Sequence, residues 1–209
     1  MLLQGLSEVV VGIHNSMSDD TITPENIFVL DASNGGPTGF NLQNLSPTAT
    51  SIYGGDAVYM TIAAGTGAVQ ATFNALDLPQ ELVSQLMGYT KDKDSGIWIH
   101  GKDSRPAYAS IMARSHDKDG KSALMGLFNG TFTRGDVNPQ TNDASTKTTT
   151  DSLTFHASVN DQGFTYAEGV SGVDGVTLEN FEKMLFKQAI TRTTPVVDGG
   201  VSEDPTKTA

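Results

Sequence analysis

Hydrophobic and polar residues alternate along most of this chain with a period of two, in short runs separated by polar, glycine-rich turns. Residues 7–13 (SEVVVGI) and 26–32 (NIFVLDA) are apolar runs rich in β-branched side chains and predict strands, with the polar stretch 14–25 looping between them. SNGGPTG at 33–39 signals a turn, and the run from Phe40 to Ile62 predicts strand broken at Pro47 and at Gly54-Gly55. Residues 68–76 alternate, with Val69, Ala71 and Phe73 on one face. Further strands are expected at 96–100 (GIWIH), 107–114 (AYASIMAR), 122–135 and 151–158 (DSLTFHAS), with Gly126 and Gly130 marking bulges or close approaches. The stretch 136–150 has no apolar pattern, and loops of that length in a compact domain are usually functional or mobile.

Two segments break the period. Around residues 77–88, Leu82, Val83, Leu86 and Met87 form a helical stripe, with Asp77 expected as its cap, Pro79 in its first turn and Gly88 ending it. Residues 177–190 predict a second helix capped by Thr177, with Phe181, Met184, Leu185 and Gln188 on one face. The fold expected is mainly β, a β-sandwich or barrel carrying a flanking helix, long loops and an extended terminal arm. The central helix plugs the sheet and offers no chemistry of its own. A domain over 1–190 is expected to be followed by a polar tail at 191–209.

Charge sharpens the picture. Residues 1–90 hold eight acids and no lysine or arginine, residues 91–150 sum to +2, residues 151–209 to −5, and the whole chain to −11. Such a surface either serves solubility or must not stick to a polyanion. No cysteine is present, which removes disulfides, thiolate ligands and a catalytic thiol. MLLQGLSEVVVGIH lacks a basic start and a long apolar core, so a soluble protein made in a cytoplasm without a signal peptide is expected. No run approaches the ~20 apolar residues that span a bilayer.

Catalytic and metal patterns are missing. DKDSG (92–96) and DKDG (117–120) lack the alternating ligands and distal glutamate of a calcium loop and are expected as hairpin turns. His14, His100, His116 and His156 show no metal spacing, and His156 is expected as the half-buried partner of a neighbouring strand. Ser171 has no nucleophile elbow around it, and no phosphate-cradling glycine loop occurs. No enzyme, no cofactor and no metal site is therefore expected.

The order of pieces carries more. A GPTGFNL turn and strand, YGGD at 53–56, an alternating strand, the helix ending Leu86-Met87-Gly88-Tyr89, a hairpin, RPAYASIMAR, LFNGTFTRGD, a Thr-rich loop and DSLTFHAS follow one another. Over about residues 35–158 this resembles the major tail proteins, or tail tube proteins, of long-tailed phages of Gram-positive bacteria. The resemblance implies a virion protein that forms six-membered rings with a continuous inner β-barrel, stacked into a tube through which the genome leaves. Implied partners are copies of itself, the tape measure, terminator and distal tail proteins, and double-stranded DNA passing without specific binding. An acidic lumen would repel that DNA, and Asp56 is the candidate residue facing it. Two alternatives stand beside this: a carbohydrate-binding β-sandwich using Trp98, Tyr89 and Tyr108, and a tube-fold hub or terminator that does not polymerise.

Overall fold

The alternating runs pair into one antiparallel sheet. The computed structural model describes residues 3–63, 65–137 and 150–192; most of the 136–150 loop and the tail from residue 193 lie outside them. The first half of the chain supplies β1 (Leu3–Ile13), β2 (Ile27–Leu30), β3 (Pro37–Gln43), β4 (Thr50–Gly54), β5 (Ala57–Ile62), β6 (Gln70–Ala75) and helix α1 (Gln80–Leu86). Next come β7 (Thr90–Lys91), β8 (Trp98–Ile99), β9 (Tyr108–Asp117), β10 (Ser122–Arg134), β11 (Asp151–Ser158), β12 (Tyr166–Val170) and helix α2 (Leu178–Phe186). The main sheet runs β2-β1-β9-β10-β11-β6-β3, with β12 also on β10, while β4–β5 and β7–β8 form separate two-stranded ribbons.

Strand β10 joins two half-sheets. Its first half pairs with β12 (Ala123↔Val170 to Leu127↔Tyr166) and its second half with β11 (Asn129↔Ser158 to Arg134↔Leu153). Between them the register against β9 slips, from Leu127↔Ile111 to Gly130↔Ala109, which is a bulge. The bulge inverts the side-chain alternation. Met125 and Leu127 enter the main core before it, and Phe132 enters the same core after it. Gly130 leaves the space this bend requires, since a Cβ there would lie 2.2 Å from the His156 carbonyl oxygen. The expected sandwich is thus one long sheet bent over a shared core, in which Phe132 and Phe155 meet edge to face at 4.9 Å.

Helix α1 closes one end of that core. Leu82, Val83 and Leu86 are buried and Met87 is partly so, as the apolar stripe required. Three such side chains contribute about 5–9 kcal/mol of burial before ordering entropy is charged. Asp77 does not cap the helix: Pro79 holds the cap position with no side-chain hydrogen bond. The proline forces Leu78 into extended backbone, so the helix starts beyond Asp77's reach, and the Asp77 amide instead donates to the Gly35 carbonyl at 3.1 Å. At the other end Gly88 adopts φ +69°, and a Cβ there would stand 1.8 Å from the Arg105 carbonyl oxygen. Only glycine lets the chain turn and pass that backbone.

Helix α2 covers the outer face of the first half-sheet, packing Phe181, Leu185 and Phe186 on Val10, Met112, Leu124 and Phe128. Gly12 and Gly126 admit it, since a Cβ at either would approach α2 side chains to 2.8 Å. The Thr177 hydroxyl accepts from the Asn180 amide at 3.1 Å, as its cap role required. The helix is shorter than expected and its face differs. Lys187 turns left-handed at φ +62°, so Gln188 lies past the helix and donates to the Ile22 carbonyl at 2.7 Å. Met184 is about half exposed, and buried Glu182 takes its place on the packed side.

A buried quartet explains Glu182. On adjacent strands, Glu8 pairs in register with Arg114. Arg192, six residues past α2, donates to Glu8 through Nε at 2.9 Å and through its terminal nitrogen at 2.7 Å, and sits 2.5 Å from Glu182. Burial opposes the charge on Arg192, but its hydrogen bonds to Glu8 and Glu182 outweigh that and push its pKa above the ordinary value. Removing one partner from such a group leaves buried charge uncompensated. Arg192→Ala is expected to lower stability by about 3 kcal/mol, measured by urea unfolding at neutral pH.

His14 gives a second, pH-dependent expectation. Its Nε2 donates to the Ser110 hydroxyl at 2.7 Å, because Ser110 itself donates to the Phe128 carbonyl at 2.5 Å. Its Nδ1 is buried with no partner among the described residues. Burial is the main cause holding its pKa below 6.5, with Asp20 opposing. The folded state then takes up a proton on His14 less readily than the unfolded chain. Stability from this group is present above pH 6.5 and is lost as pH falls below it. His14→Gln is expected to flatten the fall in unfolding midpoint between neutral and mildly acidic pH; an unchanged slope would count against it.

Candidate assembly and channel surfaces

The ribbon β4–β5 projects between β3 and β6, and every residue of both strands is exposed. Gly55 (φ +59°) and Asp56 (φ +62°) form its two-residue turn, the geometry a tight hairpin demands. Asp56, the sequence-predicted candidate, therefore sits at the tip of an arm. Its shaft carries large apolar side chains on both faces, among them Ile52, Tyr53, Val58 and Met60, with Tyr59 80% exposed at a register slip. A two-stranded ribbon with two bare apolar faces has marginal stability in water and presents a surface suited to a partner. The alternation of apolar residues here looked like ordinary sheet, and no residue pattern revealed that the strands leave it.

Two further surfaces are open to partners. Strands β2 and β3 end the main sheet, and β3 is continuous through residues 44–49 with the arm, so an open edge runs towards it. The ribbon β7–β8 exposes Ile97 and Ile99 and half-buries Trp98, whose ring lies 5.5 Å under the Lys91 ammonium. Trp98 also lines a recess with Leu78, Val83 and Tyr89. One face of the indole is thus occupied, which weakens its use as a sugar platform.

The outer face of the second half-sheet is different in kind. Its inward positions (Phe40, Leu42, Ala71, Phe73, Leu153, Phe155) are apolar, so the alternate positions face away from the core. In register these form rows across four strands. Asn41, Thr72, Thr154 and Thr133 make one row; Gln43, Gln70, His156 and Thr131 make the next. Asn74 and Ser152 begin a third. His156, the expected half-buried strand partner, meets the Thr133 hydroxyl at 3.0 Å through Nε2.

Acids of the first ninety residues lie elsewhere. Glu8 is buried in the quartet; Asp19 and Asp31 sit in turns, where Thr21 and Ser33 hydrogen bonds hold their carboxyls below the ordinary range. The Asp-rich hairpins behave as turns: the Asp117 carboxylate accepts from the Asp119 and Lys121 amides at 2.9 Å, and Asp92 accepts from the Ser95 amide at 3.1 Å. Among the described residues no three His, Asp or Glu side chains could hold a metal ion, and no helix is long and apolar enough to cross a membrane.

Comparison with curated proteins gave no match. The family model of the phage tail tube proteins matches residues 1–186. That family is structural rather than enzymatic, and its members assemble with themselves and with other tail proteins. Its extent covers the bent sheet, the arm and both helices, and on that ground the chain belongs to the phage tail tube protein family and is a component of the virion tail.

Proposed function

We propose that the protein polymerises as stacked rings of six subunits, and that the stacked rings form the conduit for genome ejection. The β4–β5 arm is the observation that carries this reading: apolar on both faces, it gains stability only when another copy covers it. The open β3 edge supports lateral pairing around a ring, since an unpaired edge is a template for another strand. A closed ring needs one heterologous interface and a stack needs a second that does not close. The edge and the arm supply two distinct surfaces for these. Tape measure, terminator and distal tail proteins would meet the tube at its bore and its ends.

Negative-stain microscopy of concentrated protein is expected to show hollow six-fold tubes. Ile52→Asp with Tyr59→Asp should leave the unfolding free energy within about 0.5 kcal/mol, because both side chains are exposed, yet abolish tubes. Rings that never stack would instead fit a hub or terminator, and a strictly monomeric protein would sink the reading.

On this reading Asp56 rides at the tip of six arms and sets six carboxylates at the junction between rings, facing the path of the DNA. Asp56→Lys is expected to assemble normally but to eject DNA slowly at low salt, through new phosphate contacts. Ejection from such virions at the unsubstituted rate would remove Asp56 from the path.

A further inference from the structure

We infer that residues 15–23 form an acid-released strap: a proton taken up by His14 opens this loop and frees the end of α2, while the bent sheet stays closed. The inference concerns a single subunit and does not depend on the tube reading.

The strap runs from the end of β1 to the short helical turn at Pro24–Asn26. Its own hydrogen bonds are local: the Asn15 amide donates to the Thr21 carbonyl at 3.1 Å, and the Ser16 amide to the Asp19 carbonyl at 3.2 Å. Little ties it to the rest of the fold. Ile22 is its one buried side chain, and it packs with Phe186 against Gly12, where a Cβ would lie 2.8 Å from either. Past the helix, Lys187 pairs with Asp20 at 3.2 Å, both side chains partly exposed, and Gln188 donates to the Ile22 carbonyl. A segment held by one apolar anchor and two polar contacts opens at a fraction of the global unfolding free energy.

His14 sits at the root of this strap. Its backbone amide donates to the Tyr108 carbonyl at 2.9 Å, so the residue stays with the sheet when the strap lifts. The neutral ring needs one acceptor, and the Ser110 hydroxyl supplies it. The protonated ring would carry a second N–H at Nδ1, buried with no acceptor among the described residues, and a buried charge besides. Burial is the largest influence on the ring and disfavours that charge; Asp20 and Asp19 of the strap attract it, and Lys187 repels it. A charged ring also competes with Lys187 for Asp20. The other groups around it belong to the core, Ser110 on β9 and the Phe128 carbonyl on β10. Lifting the strap is therefore the cheapest way to bring water to Nδ1. The Arg192 quartet still holds the body of α2, so only its last turn is freed, and Phe186 loses its Ile22 cover.

Hydrogen exchange resolved by peptide, corrected for the intrinsic pH dependence of amide exchange, tests this. The opening equilibrium of 15–23 is expected to rise about tenfold from pH 7 to 5, where one proton on an ordinary imidazole allows about 25-fold at most. The end of α2 should follow it, and peptides of β9 and β10 should not. His14→Gln, which keeps a donor for Ser110 but does not titrate, should abolish the rise. No rise in 15–23, an equal rise in β9 and β10, or the same rise in His14→Gln would each overturn the inference. Should that variant not fold, the pH profile of the unsubstituted protein decides. Opening must begin to climb near the imidazole range around pH 6.5, and a climb confined to the carboxylate range, below about pH 4.5, would overturn the inference.

Discussion

A single strand that serves two half-sheets must keep its apolar side chains pointed at one core on both sides of its bend. Without a correction, period-two alternation would drive Phe132 outward once Met125 and Leu127 face in. The extra residue between Leu127 and Gly130 supplies that correction, and it works only because position 130 has no side chain to strike the His156 carbonyl. Everything else follows from this inversion: the enclosed core, the end that α1 must plug, and the division of the outer surface.

That division separates two tasks. Before the bulge, the outer positions of β10 are Leu124, Gly126 and Phe128, which bind α2. Beyond it they are Thr131 and Thr133, which continue the polar rows of β11 and β6. One strand therefore carries both a helix-binding stripe and a bare hydrophilic one. A flat sheet would place these on one surface and leave the helix adjoining the rows; the bend turns them in different directions.

Much of this was legible from residue types. Strands 151–158 and 70–75 alternate cleanly because one face is apolar and the other wet, and both were placed within two residues of their observed ends. The Thr177 cap was legible because a local hydroxyl-to-amide bond needs nothing distant. Asp77 failed as a cap because Leu78-Pro79 delays the helix, a two-residue steric effect that outranks cap preference. Met184 was misplaced because a count of apolar residues cannot see that Glu182 is buried by an arginine ten residues later. Strand β12 (YAEGV) mixes charge and glycine, as a half-buried edge can, and gave no periodic signal. Of the surfaces, the break at Gly54-Gly55 was legible, one residue before the observed Gly55-Asp56 turn, and the arm's isolation was not, since two apolar faces look like a buried strand. Where Asp56 points in an assembly depends on other copies, which no single-chain pattern records.

The charge quartet shows that the unit recognised by kinship and the unit that folds have different boundaries. Kinship with the tail tube family runs to residue 186, within which Glu8 and Glu182 contribute two buried carboxylates against the single guanidinium of Arg114. Electroneutrality is restored only at residue 192. The stretch from α2 to Arg192 is thereby moored to β1 on the helix-covered side of the sheet, on the far side of the bend from the polar rows.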